Sequence, residues 1–313
     1  MEAKICKYYG NASALYTLTF DDGCYLESSI EVVKIFEKIY KDTGVKIKAT
    51  SAQTLNFLND ELVSFWREQI KNGYFDLASH SVSHDVCYNS KTPLEIRERD
   101  AKNSKDGLEK IYSQKIYTFV TPGGGSDAEG REILSKYYEA TRNGNDKIND
   151  TENIDWHDIS TFTATIDKTT DDYKQIIDKT IENGGWSVQI NHWITSKDKD
   201  IFHSQRAHTF KEECEYLAEC VKNKGLLVMS FNDAVSYIKR AKSASVEISC
   251  ENDIYTLKII SELKGGFYDT PLTVLVKTDS DILLNNGEKI STNENGFVKI
   301  DVTNEVSFTL LDC

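Results

Sequence analysis

Residues 15–40 read LYTLTFDDGCYLESSIEVVKIFEKIY, and the fold is decided there. Leu15 to Phe20 is a short apolar and β-branched run, the composition of a buried strand. From Ser28 to Tyr40, Ile30, Val33, Ile35, Phe36 and Ile39 recur at helical spacing. Working outward, the same strand-then-helix rhythm repeats. Amphipathic helices fit 60–71, 93–112, 127–139, 170–183 and 207–223, with short strands at 45–49, 74–79, 116–120, 186–191 and 226–230. Asn72-Gly73, Asn183-Gly184 and Asn223-Lys224-Gly225 stand just before three of those strands, where residues tolerant of left-handed backbone end a helix. Repeated β-then-α units predict an α/β fold with a parallel sheet and helical crossovers, either barrel-like or doubly wound. In such sheets ligands meet the loops at the carboxyl ends of the strands.

From about Ser243 the rhythm changes. Ser245–Ser249, Tyr255–Ile260, Leu272–Lys277 and Val306–Leu311 read as strands, with Asn285-Asn286-Gly287 and Asn293–Gly296 as turns. The expected organisation is a catalytic unit over 1–242 and a small β-rich accessory unit over 243–313, the latter without a single histidine.

Composition narrows the function classes. Of 313 residues, 37 are basic and 50 acidic, for a formal charge of −13. Such a surface repels phosphate backbones, which argues against nucleic acid and anionic membranes as partners. No stretch approaches the roughly 18 apolar residues that span a bilayer. The seven cysteines are odd in number, scattered, and form no C-x-x-C pair. The opening MEAKICKYYGNASALY lacks an apolar signal region, so the expectation is a cytoplasmic protein with reduced thiols.

Chemistry gathers at the expected strand ends. The first strand runs into Asp21-Asp22-Gly23. Adjacent carboxylates raise one another's pKa unless a cation sits between them, so the pair points to a metal, a base or both. The competing reading is an Asp-Gly turn in which one carboxylate caps the next helix. The strand at 74–79 ends in His80-Ser81-Val82-Ser83-His84. If that segment turns helically, both imidazoles leave one face, and two imidazoles with one carboxylate form a common zinc ligand set. The alternative is a pair of surface histidines. Trp186–Asn191 delivers His192-Trp193, and Thr121-Pro122-Gly123-Gly124-Gly125 follows the strand at 116–120. That glycine run lacks the endings of a phosphate loop.

Together these motifs resemble the NodB-like polysaccharide deacetylases, family 4 of the carbohydrate esterases, over roughly residues 12–240. The resemblance implies a deformed (β/α) barrel and a metal-dependent hydrolase that removes acetyl groups from N- or O-acetylated carbohydrates. It implies a divalent metal, zinc first, with cobalt, manganese or nickel as options. Carried over by motif, Asp22, His80 and His84 would be the ligands, Asp21 the general base and His192 the general acid. The family's usual arginine is missing from Phe119–Gly123, and Arg142 is the expected substitute. Asp155-Trp156 resembles the family's acetyl-pocket motif, although Glu152 stands where aspartate is usual. Trp156, Trp193, Tyr25 and Pro122 are the expected substrate contacts, with Tyr88 a further aromatic beside the motifs. His157, His203 and His208 have no family counterpart and are expected to be structural or exposed. The rival reading is a non-catalytic carbohydrate-binding protein on a degenerate deacetylase scaffold.

Overall fold

The computed structural model of the chain describes residues 1–197 and 203–311, which leaves Cys313 outside. Two compact units emerge: Ala14–Ala234, and Met1–Ser13 together with Val235–Cys313. The division therefore falls at Ala234 rather than at 242, and the first residues group with the β-rich unit. The reason is strand pairing. β1 (Glu2–Ile5) forms antiparallel bonds with Leu272–Lys277, so residues close in sequence to the parallel sheet belong elsewhere.

In the larger unit β2 (Ala14–Phe20) leads into α1 (Leu26–Thr43), β3 (Ala49–Gln53), α2 (Asp60–Lys71) and β4 (Phe75–Ser79). Next come α3 (Leu94–Tyr112), β5 (Thr118–Val120), α4 (Ala128–Ser135), β6 (Ala140–Arg142) and β7 (Phe162–Thr163). The unit finishes with α5 (Thr170–Asn183), β8 (Trp186–Asn191), β9 (Ile194–Thr195), β10 (Gln205–Arg206), α6 (Ala207–Asn223) and β11 (Leu226–Val228). α7 (Phe231–Ser243) follows.

The main sheet has the order β6-β5-β4-β3-β2-β8-β7, with β11 also on β2, and every pairing is parallel. β8 occupies one edge of β2 from Leu15 to Phe20. The other edge is shared, β11 pairing with Ala14–Tyr16 and β3 with Thr19 and Phe20. A strand has only two hydrogen-bonding edges, so this sharing distorts the curled sheet into the deformed (β/α) barrel that the motifs implied.

Local chemistry explains most element boundaries. Asn59 caps α2, its side chain accepting from the Leu62 amide at 2.9 Å. Thr169 and Asp172 form a reciprocal capping box at the start of α5. Gly184, at φ 58°, ends α5 as expected. α1 buries Val32, Val33, Ile35, Phe36 and Ile39, whereas Ile30, counted in the apolar stripe, is exposed. Phe20 at the end of β2 packs edge-on against Phe75 and Phe210, with ring centroids 5.6 and 5.9 Å away. These aromatics seat the strand end that carries Asp21.

One strand lies away from its expected place. The apolar run at 45–49 only approaches the sheet, and the strand itself is Ala49–Gln53, every residue buried. Its polar side chains are satisfied inside the barrel. Gln53 Nε2 donates to Ser51 Oγ at 2.6 Å, and the Tyr112 hydroxyl donates to Gln53 Oε1 at 3.0 Å. Hydrophobicity alone points elsewhere when a buried strand carries paired polar groups. α4 likewise stops at Ser135, four residues before the expected end, because the chain turns there to enter β6.

The smaller unit is all β apart from part of α7 and two short turns, Tyr9–Asn11 and Gly266–Tyr268. It adds β12 (Ser245–Glu251), β13 (Ile254–Ile260), β14 (Leu272–Lys277), β15 (Ile282–Leu284), β16 (Lys289–Ile290), β17 (Phe297–Val302) and β18 (Glu305–Leu310). Two antiparallel sheets result, β1-β14-β17 and β12-β13-β18-β15-β16. Asn285-Asn286-Gly287 makes the expected turn, Gly287 taking φ 86°. Among the described residues, no helix is long and apolar enough to cross a membrane, and the six described cysteines are unpaired thiols.

Candidate active site

The carboxyl ends of β2, β4, β5, β6, β7 and β8 surround a cavity of about 360 Å³. Asp21, His80, His84, Arg142 and His192 line it, beside Thr121, Gly123, Gly124 and Gly144. Five residues from four distant segments thus meet as their strand-end positions predicted.

Asp21 and Asp22 follow β2 directly. Asp22 takes φ 69° and Gly23 φ 71°, so the chain turns sharply and directs both carboxylates inward. Neither caps α1, whose start has no side-chain cap. The Asp-Gly reading as a mere helix cap is therefore set aside. Asp22 Oδ2 accepts from the Tyr25 hydroxyl at 2.8 Å. Its Oδ1 lies 3.6 Å from His80 Nε2 and 3.7 Å from His84 Nε2. One ligand atom from each of Asp22, His80 and His84 lies within 4.8 Å of the others.

The two histidines converge by a different route from the one spacing suggested. Residues 80–84 form no helical turn. Ser81 and His84 adopt φ 71° and 66°, and the Ser81 hydroxyl oxygen accepts from the His84 amide at 2.9 Å. A tight loop, rather than a helix face, brings the rings to a 4.8 Å centroid separation.

A divalent cation fits this set. His80 Nδ1 is 2.8 Å from the Val120 carbonyl. A carbonyl only accepts, so Nδ1 carries the proton and Nε2 presents a lone pair. That lone pair faces Asp22 Oδ1, and neither atom has a hydrogen-bond partner although both are buried. Two buried acceptors facing one another are a place that a cation can occupy.

Asp21 has a separate environment. Arg142 Nη2, from the last residue of β6, donates to Asp21 Oδ1. Asp21 Oδ2 lies 3.9 Å from both His80 Nε2 and His192 Nε2. Burial pushes the Asp21 carboxyl up, but the Arg142 guanidinium and then the neighbouring imidazoles pull harder, leaving it below its ordinary value. Burial lowers the His192 imidazole, against the opposing charges of Asp21 and Asp22. One carboxylate kept ionised beside an imidazole kept neutral is a suitable pair for moving protons.

The expected substrate contacts divide. Tyr25 serves Asp22 through its hydroxyl, and its ring packs on Trp193 at 4.9 Å. Both rings are half-buried beside the cavity, without lining it. Pro122 is buried under the loop whose neighbours Thr121, Gly123 and Gly124 form the wall. Trp156 is half-buried and away from the lining, its carbonyl accepting from the Thr141 amide at 2.7 Å. Tyr88 is fully buried and gives its hydroxyl to Asp100 at 2.7 Å.

Sequence reasoning missed the lining residues Gly144, Asp146, Thr163 and Ile190, and it expected His203, which also lines the cavity, to be structural or exposed. The His203 ring lies 5.5 Å from that of His192. His203 follows no regular strand of the main sheet, so strand-end logic had no reason to select it.

The sequence profile of the polysaccharide deacetylase family matches residues 11–138. No curated protein sequence matches the chain. A putative polysaccharide deacetylase from Mycobacterium smegmatis is similar in structure, at 11% identity and a TM-score of 0.56, over 80% of this chain and 99% of that one. A family 4 acetyl xylan esterase from Clostridium thermocellum, solved in complex with a cobalt ion, aligns at 14% identity and a TM-score of 0.49, over 70% and 89%. The profile match begins just ahead of β2 and takes in Asp21, Asp22, His80 and His84, so the segment that supplies these four cavity residues is similar to polysaccharide deacetylases.

Proposed function

We propose that the cavity removes acetyl groups from acetylated carbohydrates by hydrolysis, using a divalent cation held by Asp22, His80 and His84. The observation that carries this reading is the buried pair of facing acceptors, Asp22 Oδ1 and His80 Nε2, 3.6 Å apart without a hydrogen-bond partner for either. A cation bound there would polarise the acetyl carbonyl and lower the pKa of a bound water to about 7.

The chain's own residues then move the proton. Asp21, held ionised by Arg142, takes a proton from the attacking water on Oδ2. His192 Nε2, facing that oxygen, receives it and delivers it to the departing sugar nitrogen or oxygen. The bond from the acetyl carbon to the sugar breaks as the bond to the water oxygen forms, giving acetate and a free amine or hydroxyl. Since burial keeps His192 neutral at rest, the proton it delivers is the one Asp21 collected. Acid–base groups in such roles contribute about 10²–10⁴ in rate. Contact between Arg142 and Asp21 speaks against one of the two motives for the degenerate-scaffold reading, the arginine missing from Phe119–Gly123, while the altered motif at Glu152 stands.

The deciding experiment measures acetate released from acetylated chitooligosaccharides and acetylated xylan, with the chain chelated and then supplied with Zn²⁺, Co²⁺ or Mn²⁺. Cation-dependent release is expected. Binding of every substrate with release of none would instead favour a non-catalytic carbohydrate-binding protein.

A further inference from the structure

Between β4 and α3 the chain holds two non-glycine residues at positive φ within four positions, Ser81 and His84. Such conformations persist only where the surroundings impose them. Two sets of bonds to the loop are local to this edge of the barrel. The amides of Leu55 and Asn56 donate to the carbonyls of Ser81 and Val82 at 3.1 and 2.8 Å, and Ser81 Oγ accepts from the His84 amide. A third comes from a helix. Asp100, on α3, accepts from the Val82 amide through Oδ1 at 3.1 Å and from the Tyr88 hydroxyl through Oδ2 at 2.7 Å.

Asp100 is 6% exposed and Tyr88 is fully buried. Both oxygens accept hydrogen bonds, burial pushes the carboxyl's pKa up, and among the described residues no Lys or Arg forms an ion pair with it. A buried charge without a counter-ion is costly, and an alanine or leucine would fill a helix interior at less cost. What this carboxylate does in return is tie the middle of the His80–His84 loop to α3, while Tyr88 fixes its own orientation. Val82 sits midway between the two histidines, so a displacement there changes the distance between their Nε2 atoms.

We propose that Asp100 is a positioning residue for the cation site: it sets the spacing of His80 and His84, and Tyr88 holds it in place. This rests on the reading of Asp22, His80 and His84 as ligands. Partners one step removed from a metal commonly change its affinity by 10- to 100-fold when lost.

The test is competition for Zn²⁺ and Co²⁺ between the full chain and a chromophoric chelator, together with the melting temperature of the metal-free protein. Asp100→Ala should bind about 10- to 100-fold more weakly than wild type. Asp100→Asn, which keeps an acceptor for the Val82 amide, should stay close to wild type. Tyr88→Phe should weaken binding by a smaller factor, and it decides the matter should Asp100→Ala fail to fold. Ser104→Ala serves as control, since Ser104 lies buried on the same helix and bonds to Ser79 and Tyr138 rather than to the loop. Unchanged affinity in Asp100→Ala, or equal weakening in Ser104→Ala, overturns the positioning role and leaves Asp100 as ordinary packing. Failure of the wild type to bind either cation overturns the ligand reading itself, which is a separate result.

Discussion

Arg142 at the end of β6 and Asp21 at the end of β2 are ion-paired although β5, β4 and β3 lie between their strands in the sheet. Both side chains are buried, and the curl of the sheet brings the two strand ends into contact at the lining of one cavity. The pair makes Asp21 a carboxylate that stays ionised despite its burial.

Removing that charge should move the acid limb of the rate profile. With Arg142 intact, its charge holds the Asp21 carboxyl low, so the base is ready at neutral pH. In Arg142→Gln, the largest charge opposing burial is gone and only the neighbouring imidazoles remain against it, so the carboxyl rises and the base stays protonated to higher pH. The acid limb of kcat/KM should shift upward by about one unit or more, with roughly a 10²-fold loss at neutral pH. An unmoved limb in a variant that still binds metal would show that Asp21 is not the titrating base.

Two neighbouring carboxylates should separate cleanly by variant. Asp22→Ala and His84→Ala should lose bound metal and acetate release together. Asp21→Asn should retain metal and lose about 10²–10⁴ in turnover. Metal content by elemental analysis, paired with acetate release, distinguishes them. Full turnover in Asp21→Asn would remove the assigned base.

Gly23 should tolerate no side chain. Its φ is 71°, and a Cβ there would meet Gln53 Nε2 at 2.7 Å. Gln53 cannot easily retreat, since it is hydrogen-bonded to both Ser51 and Tyr112. Left-handed backbone alone costs an L-residue about 1–2 kcal/mol. Gly23→Ala should therefore destabilise by at least that amount in chemical denaturation and should also weaken metal binding, because Asp22 is its immediate neighbour. Wild-type stability in the variant would show that the turn can relax.

A pH-dependent component of stability should trace to Glu213. This carboxyl on α6 is buried, accepts from Gln189 at 3.2 Å and Gln205 at 2.7 Å, and is pushed by that burial from 4.5 up to about 7. Since the folded form holds its proton more tightly than the unfolded chain, the contribution is favourable below about 4.5. It is lost as pH rises toward about 7 and does not change further above that. A shift of this size corresponds to roughly 3 kcal/mol. Glu213→Gln should flatten the slope between those values and be the more stable protein at pH 8. Denaturation midpoints across that range measure it, and a parallel slope in the variant would assign the effect elsewhere.

Much of the site was legible because strand ends leave a local signature. Asp21-Asp22-Gly23, His80 with His84, and His192 each follow a short run that reads as a strand, and the parallel architecture places all such ends on one side. Other features left no such trace. Arg142 was proposed as the substitute arginine from its place at the end of an apolar stretch, and its partner became visible only in the folded chain. His203 and Asp146 reach the cavity from irregular segments, and Tyr88 turned out to orient Asp100 rather than to meet a sugar.

By itself the amino-acid order determined the periodicity of strands and helices, the turns that end them and the identity of five cavity residues, because those properties depend on side chains a few positions apart. Tertiary structure alone decided that β3 and β11 share one edge of β2, that a loop with two left-handed residues brings His80 to His84, and that residues 1–13 join the β-rich unit. These are outcomes of competition among distant segments for a limited number of hydrogen-bonding edges and buried positions, and no short window of sequence contains the competitors.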